Sequence, residues 1–116
     1  MKYLCAVYFD PTALDGLSAS EKTELNRVSL QYDEELRKDG HFIVASALQL
    51  PKTAKTVRSR GGKIAVTDGP FAETKEVLGG FIFLEARDMD EALQIAGKIP
   101  MAKFGSIEVR PEMNIG

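Results

Sequence analysis

Lys2-Tyr3-Leu4-Cys5-Ala6-Val7-Tyr8-Phe9 is the stretch that decides the fold. Aromatic and β-branched residues dominate it, which marks a strand. It is apolar on both of its alternating faces, which marks a central strand covered on both sides. Asp10-Pro11 ends it, because proline brings no N–H to a ladder. Residues 11–17 read as a loop.

The next segment is helical. Ser18-x-x-Glu21 is a capping-box pattern, with Ser18 or Ser20 as the N-cap. Leu25, Val28, Tyr32 and Leu36 follow at offsets of three and four and make one apolar stripe. Asn26, Arg27, Asp33, Glu34, Arg37 and Lys38 fill the other face. The helix is expected to run to about Lys38 and stop at Gly40.

Residues 42–49 (FIVASALQ) read as a second strand, closed by Pro51. Thr53 to Arg60 alternates, Gly61-Gly62 is a two-residue hairpin turn, and Lys63 to Thr67 returns. That register sets Arg60 opposite Lys63 and Arg58 opposite Ala65. After a ten-residue segment, Gly79-Gly80 precedes a strand over Phe81 to Ala86. Asp88-x-x-Glu91 caps a short helix whose buried side is Ala92, Leu93, Ile95, Ala96 and Ile99, and Pro100 marks its end. Gly105 to Arg110 is the last strand. Without the hairpin the order is two β-α-β halves, so the expected class is α+β, ferredoxin-like, in a single domain spanning 1–116. Two helices cover one face of such a sheet. Tyr3, Val7, Phe9, Ile43, Phe81 and Phe83 supply more apolar strand surface than two helices bury, and a second copy, sheet to sheet, is the simplest cover. A homodimer is therefore expected.

Composition narrows the function classes. The chain is 44% apolar and 28% charged over 116 residues, which fits one globular domain and excludes disorder. A net charge of −2 argues against a nucleic-acid partner. No run approaches the ~20 apolar residues of a membrane span. The single cysteine, Cys5, forms no internal disulfide and reads as a small buried hydrophobe. With no signal-peptide pattern at the N-terminus, the expected location is the cytoplasm. No metal spacing, glycine-rich phosphate loop or serine elbow occurs, so no metal or cofactor is expected.

The candidate site is Thr67-Asp68-Gly69-Pro70-Phe71-Ala72-Glu73-Thr74-Lys75-Glu76. Asp68-Gly69-Pro70 is rigid turn material, and Phe71 is expected as an anchor buried beneath the loop. Glu73, Thr74, Lys75 and Glu76 then gather two carboxylates, a hydroxyl and an ammonium. Such a set holds a polar ligand, or transfers a proton if burial raises a carboxylate pKa. The plainer alternative is a tight connection with solvated charges. Arg58 stands close enough on the hairpin to pair Asp68 or Glu73, or to clamp a ligand carboxylate or phosphate. The one histidine, His41, is a candidate for a general base, alongside Asp68 and Glu73. Tyr8 and Gln49 are candidates to line the space between helix and sheet.

The ten residues resemble the signature of the DGPF (DGPFAETKE) branch of the bacterial YCII-related family. Leu48-Gln49-Leu50-Pro51, Thr53 to Arg58, Leu78-Gly79-Gly80-Phe81, Ile99-Pro100 and Gly105 to Pro111 extend the likeness over nearly the whole chain. The resemblance implies a dimeric α+β barrel, two ferredoxin-like subunits with their sheets face to face. It also implies a regulatory setting, because genes of this branch often accompany those of extracytoplasmic-function sigma factors. Some YCII-related relatives resemble enzymes of chloroaromatic breakdown that use a His on the first helix and an Asp just before a Pro ending the second. Here Ile99 precedes Pro100 and His41 follows the first helix, so that pair is not carried over. Three functions compete: a small-molecule binding module built on the motif, an enzyme with a substitute acid–base pair acting on hydroxylated aromatics, and an interaction partner of a sigma factor.

Overall fold

Strand β1 (Lys2–Phe9) lies inside a four-stranded antiparallel sheet, between β5 (Val77–Glu85) and β6 (Gly105–Pro111). Strand β2 (Phe42–Ala47) pairs with the outer side of β5, giving the order β2-β5-β1-β6. Helices α1 (Ala19–Lys38) and α2 (Met89–Gly97) complete the two β-α-β halves in this computed structural model, which describes residues 1–116. The architecture is ferredoxin-like α+β, as the order of elements requires.

Alternation along β1 divides the sheet into two faces. Tyr3, Cys5 and Val7 sink toward the helices and meet Leu84 and Ile82 of β5. Leu36 of α1 and Ala92, Ile95 and Ala96 of α2 close this core from the other side. Full burial of a side chain such as Leu84 stabilises the fold by roughly 2 kcal/mol. Desolvation in the core pushes the Cys5 thiol up to about 11, so it remains protonated and unreactive at neutral pH.

The opposite face is open. Register places Leu4, Ala6 and Tyr8 there with Phe83, Phe81 and Leu78 of β5, and Val44 of β2 opposite Phe83. The expected surplus of apolar strand residues therefore exists, but with different members. Tyr3 and Val7 belong to the helix side, because only even-numbered β1 residues reach the open face. No helix is long and apolar enough to cross a membrane.

The helix ends follow from local hydrogen bonding. Ser18 is the N-cap: its Oγ accepts the Glu21 N–H at 3.1 Å, and Glu21 Oε1 accepts the Ser18 N–H at 3.0 Å. Asp88 Oδ1 accepts the Glu91 N–H at 2.9 Å at the start of α2. The segment read as a loop after Asp10 is instead a 3-10 turn over Pro11–Leu14. Asp10 Oδ1 caps it, accepting the Thr12 N–H at 3.0 Å and the Thr12 hydroxyl at 2.8 Å.

Strand boundaries also move, as at β2 and β5. Strand β2 ends at Ala47, two residues before the expected limit, and Gln49 is exposed beyond it. Strand β5 starts at Val77 rather than Phe81 and takes Gly79 and Gly80 into its ladder. A Cβ at Gly80 would lie 2.6 Å from the Ser46 carbonyl oxygen, and one at Gly79 would lie 2.4 Å from the Phe9 ring. Glycine here serves close approach of neighbouring chain, not a break in the strand.

The hairpin stands apart as its own two-stranded ladder, β3 (Lys55–Arg60) with β4 (Lys63–Asp68). Gly61 and Gly62 turn it with φ of 56° and 79°, the pair of positive values such a turn demands. Arg60 faces Lys63 and Arg58 faces Ala65, in the expected register. All its residues are exposed except the half-buried Thr56.

Candidate functional site

A cavity of about 600 Å³ opens between α1 and the helix side of the sheet. Val7, Phe9, Ile82, Ile99 and Met101 form its apolar walls, and Gly79 and Gly80 lie where β5 passes it. Leu14 of the 3-10 turn lines it as well. From α1 come Leu25, Asn26, Ser29, Leu30 and Asp33. Ser29 and Asp33 are four residues apart and half-buried, so they stack on one helix face toward the sheet.

The polar groups of this wall offer acceptors. Ser29 donates its hydroxyl to the Leu25 carbonyl at 2.8 Å, which leaves the oxygen lone pairs free. The Asp33 carboxylate has no hydrogen-bond partner in the chain and is not fully buried, and the residue lines the cavity. Burial pushes its carboxyl above the usual range, with Arg37 pulling the other way and Glu34 reinforcing the rise. Arg37 is committed elsewhere: it pairs with Glu34 and stacks 4.3 Å over the Phe42 ring. No Lys, Arg or His lines the cavity.

The residues singled out in the sequence lie elsewhere. Asp68, Phe71, Glu73, Thr74 and Lys75 are all exposed and line neither this cavity nor the shallow concavity on the open sheet face. Phe71 is 81% exposed, so it is not a buried anchor in the single chain. Asp68 pairs with Lys55 at 2.5 Å, not with Arg58. The register explains this: Lys55 is directly opposite Asp68, whereas Arg58 points to the other face of the hairpin. Thr74 Oγ1 donates to the nearby Glu76 carbonyl. His41 sits at the start of β2 with Nδ1 2.8 Å from the Glu85 carbonyl oxygen, away from both the motif and the cavity. Tyr8 lies on the open sheet face, not between helix and sheet.

One thread joins the motif to the cavity. The Asp10 carboxyl is held below the usual range, first by the Thr12 N–H, next by the Thr12 hydroxyl, with Lys75 adding a smaller pull. Lys75 therefore stands near the 3-10 turn whose Leu14 lines the cavity. The motif then feeds directly into Val77 and the Gly79-Gly80 pair.

A sequence profile of the YCII-related domain matches residues 1–115. The chain belongs to the YCII-related family. An uncharacterized protein of Rhizobium meliloti (strain 1021), R00369, is 34% identical over 113 residues, covering 96% of this chain and 91% of that one. Among solved structures, a 5-chloro-2-hydroxyhydroquinone dehydrochlorinase from Burkholderia phenoliruptrix AC1100, in complex with 2,5-dihydroxybenzoquinone, is similar with a TM-score of 0.56. It covers 97% of this chain and 94% of the other at 19% identity, a likeness of fold.

Within this YCII-related fold, Ile99 lines the cavity directly before Pro100. The cavity thus includes the position where the resemblance located an acid in some relatives, and an aliphatic side chain fills it. The acid of this cavity comes from α1, as Asp33. By the helical pattern alone Asp33 and Asn26 fall on the solvent face of α1, yet both line the cavity. The available signal was their place: Asp33 immediately follows Tyr32 of the apolar stripe, about 100° further round the helix.

Proposed function

We propose that this YCII-related protein is a small-molecule binding protein whose ligand enters the cavity between α1 and the sheet. The observation that carries this reading is an apolar cavity of about 600 Å³ with accessible polar groups gathered on one wall. Ligand sites combine these two features, apolar lining for affinity and a few polar groups for orientation. The ligand of the dehydrochlorinase, a small hydroxylated ring, suits such a cavity in size. In this reading the TDGPFAETKE segment stands outside the cavity lining, with Lys75 near the turn that carries Leu14. That segment also supports assignment to the DGPF branch, and the single buried cysteine fits a cytoplasmic setting.

The reading includes a homodimer. Leu4, Tyr8, Val44, Leu78, Phe81 and Phe83 leave an apolar sheet face with no covering element in the chain. A second copy covers it without any other partner.

The test is a titration of the labelled full chain with hydroquinone and with catechol, followed by amide NMR. Shifts are expected at Leu14, Leu25, Ser29, Gly79, Gly80 and Ile99. Shifts confined to Asp68–Glu76 would transfer the site to the motif, and no shifts with either ring would sink the proposal.

A further inference from the structure

The wall of the cavity that α1 supplies has an unusual chemistry for a helix face turned toward a sheet. Residues at such positions ordinarily bury apolar side chains, yet here Ser29 and Asp33 occupy two successive turns. A polar residue placed against the local pattern marks function more often than packing. The Ser29 hydroxyl is already spent on the Leu25 carbonyl, so Ser29 can only accept from a ligand. Asp33 is unpaired and can only accept while ionised. The nearest cation along the helix, Arg37, is held by Glu34 and Phe42. No cationic side chain lines the space.

We infer that the cavity selects a ring-sized ligand that is neutral or cationic and carries hydroxyl or amine donors, and that Asp33 is the residue that sets this choice. The inference rests on the cavity being the ligand site, as proposed above, and adds the charge and polarity of what enters it. A donor on the ligand meets the Asp33 carboxylate and the Ser29 lone pairs. A protonated amine gains a charge-assisted bond in a partly desolvated place. A carboxylate or phosphate meets only acceptors and one like charge, with no counter-ion to offset the loss of its hydration. This reverses the ligand class that the motif and Arg58 suggested, because Arg58 stands on the far face of the exposed hairpin.

Three probes with the same phenol ring test the inference on the full-length protein: 4-hydroxybenzylamine, hydroquinone and 4-hydroxybenzoate. Binding is followed at pH 7.5 by amide NMR, with dissociation constants from the shifts of Leu25, Gly80 and Ile99. The amine is expected to bind at least tenfold more tightly than the benzoate, with hydroquinone between them. In Asp33→Asn, which retains size and shape, the gap between amine and benzoate is expected to shrink at least tenfold. The ranking in the unaltered chain decides the charge preference even if the variant folds poorly. Equal affinity of all three probes, or an amine-to-benzoate gap that is the same in Asp33→Asn as in the parent, overturns the inference and leaves the cavity as the ligand site. Absence of any shift at the cavity residues overturns both.

Discussion

Tyr32 donates its phenolic hydroxyl to the carbonyl oxygen of Ile95 at 2.7 Å, so α1 is tied to α2 by a single bond across the core. The two residues are 63 positions apart, and the bond joins the two helices that cover one face of the sheet. Tyr32→Phe removes the donor and little else, because the Ile95 carbonyl still accepts the Lys98 N–H at 3.1 Å. The expected loss is about 1 kcal/mol of stability, read as a lower denaturant midpoint with an unchanged slope. An unchanged midpoint would show that the bond contributes nothing net.

Alkaline pH is expected to unfold the protein in a defined window. Burial pushes the Tyr32 phenol up to about 12 from 10.0, and the Cys5 thiol up to about 11 from 9.0. Both groups hold their protons more tightly folded than unfolded. Their contribution is therefore complete below pH 9, and it is lost as pH rises through about 11 for the thiol and about 12 for the phenol. Melting temperatures measured from pH 8 to pH 12 should fall in this window. In Cys5→Ala the fall should begin about one pH unit later; identical profiles for the two proteins would contradict the assignment.

Asp33→Asn is expected to stabilise the free protein at neutral pH. Desolvation raises the Asp33 carboxyl above its unfolded value of 3.8. The stability tied to this group is present below the unfolded value and lost as pH rises through the folded one, so the ionised carboxylate weakens the fold at pH 7. The variant should melt higher than the parent at pH 7 and level with it at pH 3. A lower melting temperature at pH 7 would mean that Asp33 serves the fold rather than a ligand.

Gly80→Ala tests the close approach beside the cavity. The added methyl would stand 2.6 Å from the Ser46 carbonyl oxygen and 3.3 Å from Ala47 Cα, both backbone atoms of β2 that cannot rotate away. Overpacking of this kind costs roughly 1–3 kcal/mol. Thermal melting should show the loss, and the amide signals of Ser46 and Ala47 should move most.

The fold was legible in the sequence because its signals are local. Ser18 and Glu21 cap each other three residues apart, and Gly61-Gly62 fixes the register of Arg58 on Ala65. The candidate cavity was not legible, because its walls come from Phe9, Ser29, Gly80 and Ile99, which only the tertiary fold brings together. The motif drew notice through its density of charges, yet Asp68 and Glu73 are exposed where they stand. Asp33, which meets the cavity, was hidden by its neighbours Glu34 and Arg37, whose charges do belong to solvent.

The open sheet face supplies the last prediction. Phe83 of β5 lies between Leu4 of β1 and Val44 of β2, at the middle of the uncovered apolar surface. A stable pair of subunits needs about 800 Å² from each partner, and the open face of the four-stranded sheet is an apolar surface built on paired strands. A lysine at position 83 would put an unpaired charge at the centre of that contact, while a monomer would hold it in water. Sedimentation equilibrium at micromolar concentration is therefore expected to return twice 12.7 kDa for the parent and 12.7 kDa for Phe83→Lys, with far-UV circular dichroism unchanged. A parent mass near 12.7 kDa would leave the face to some other cover and end the case for the homodimer.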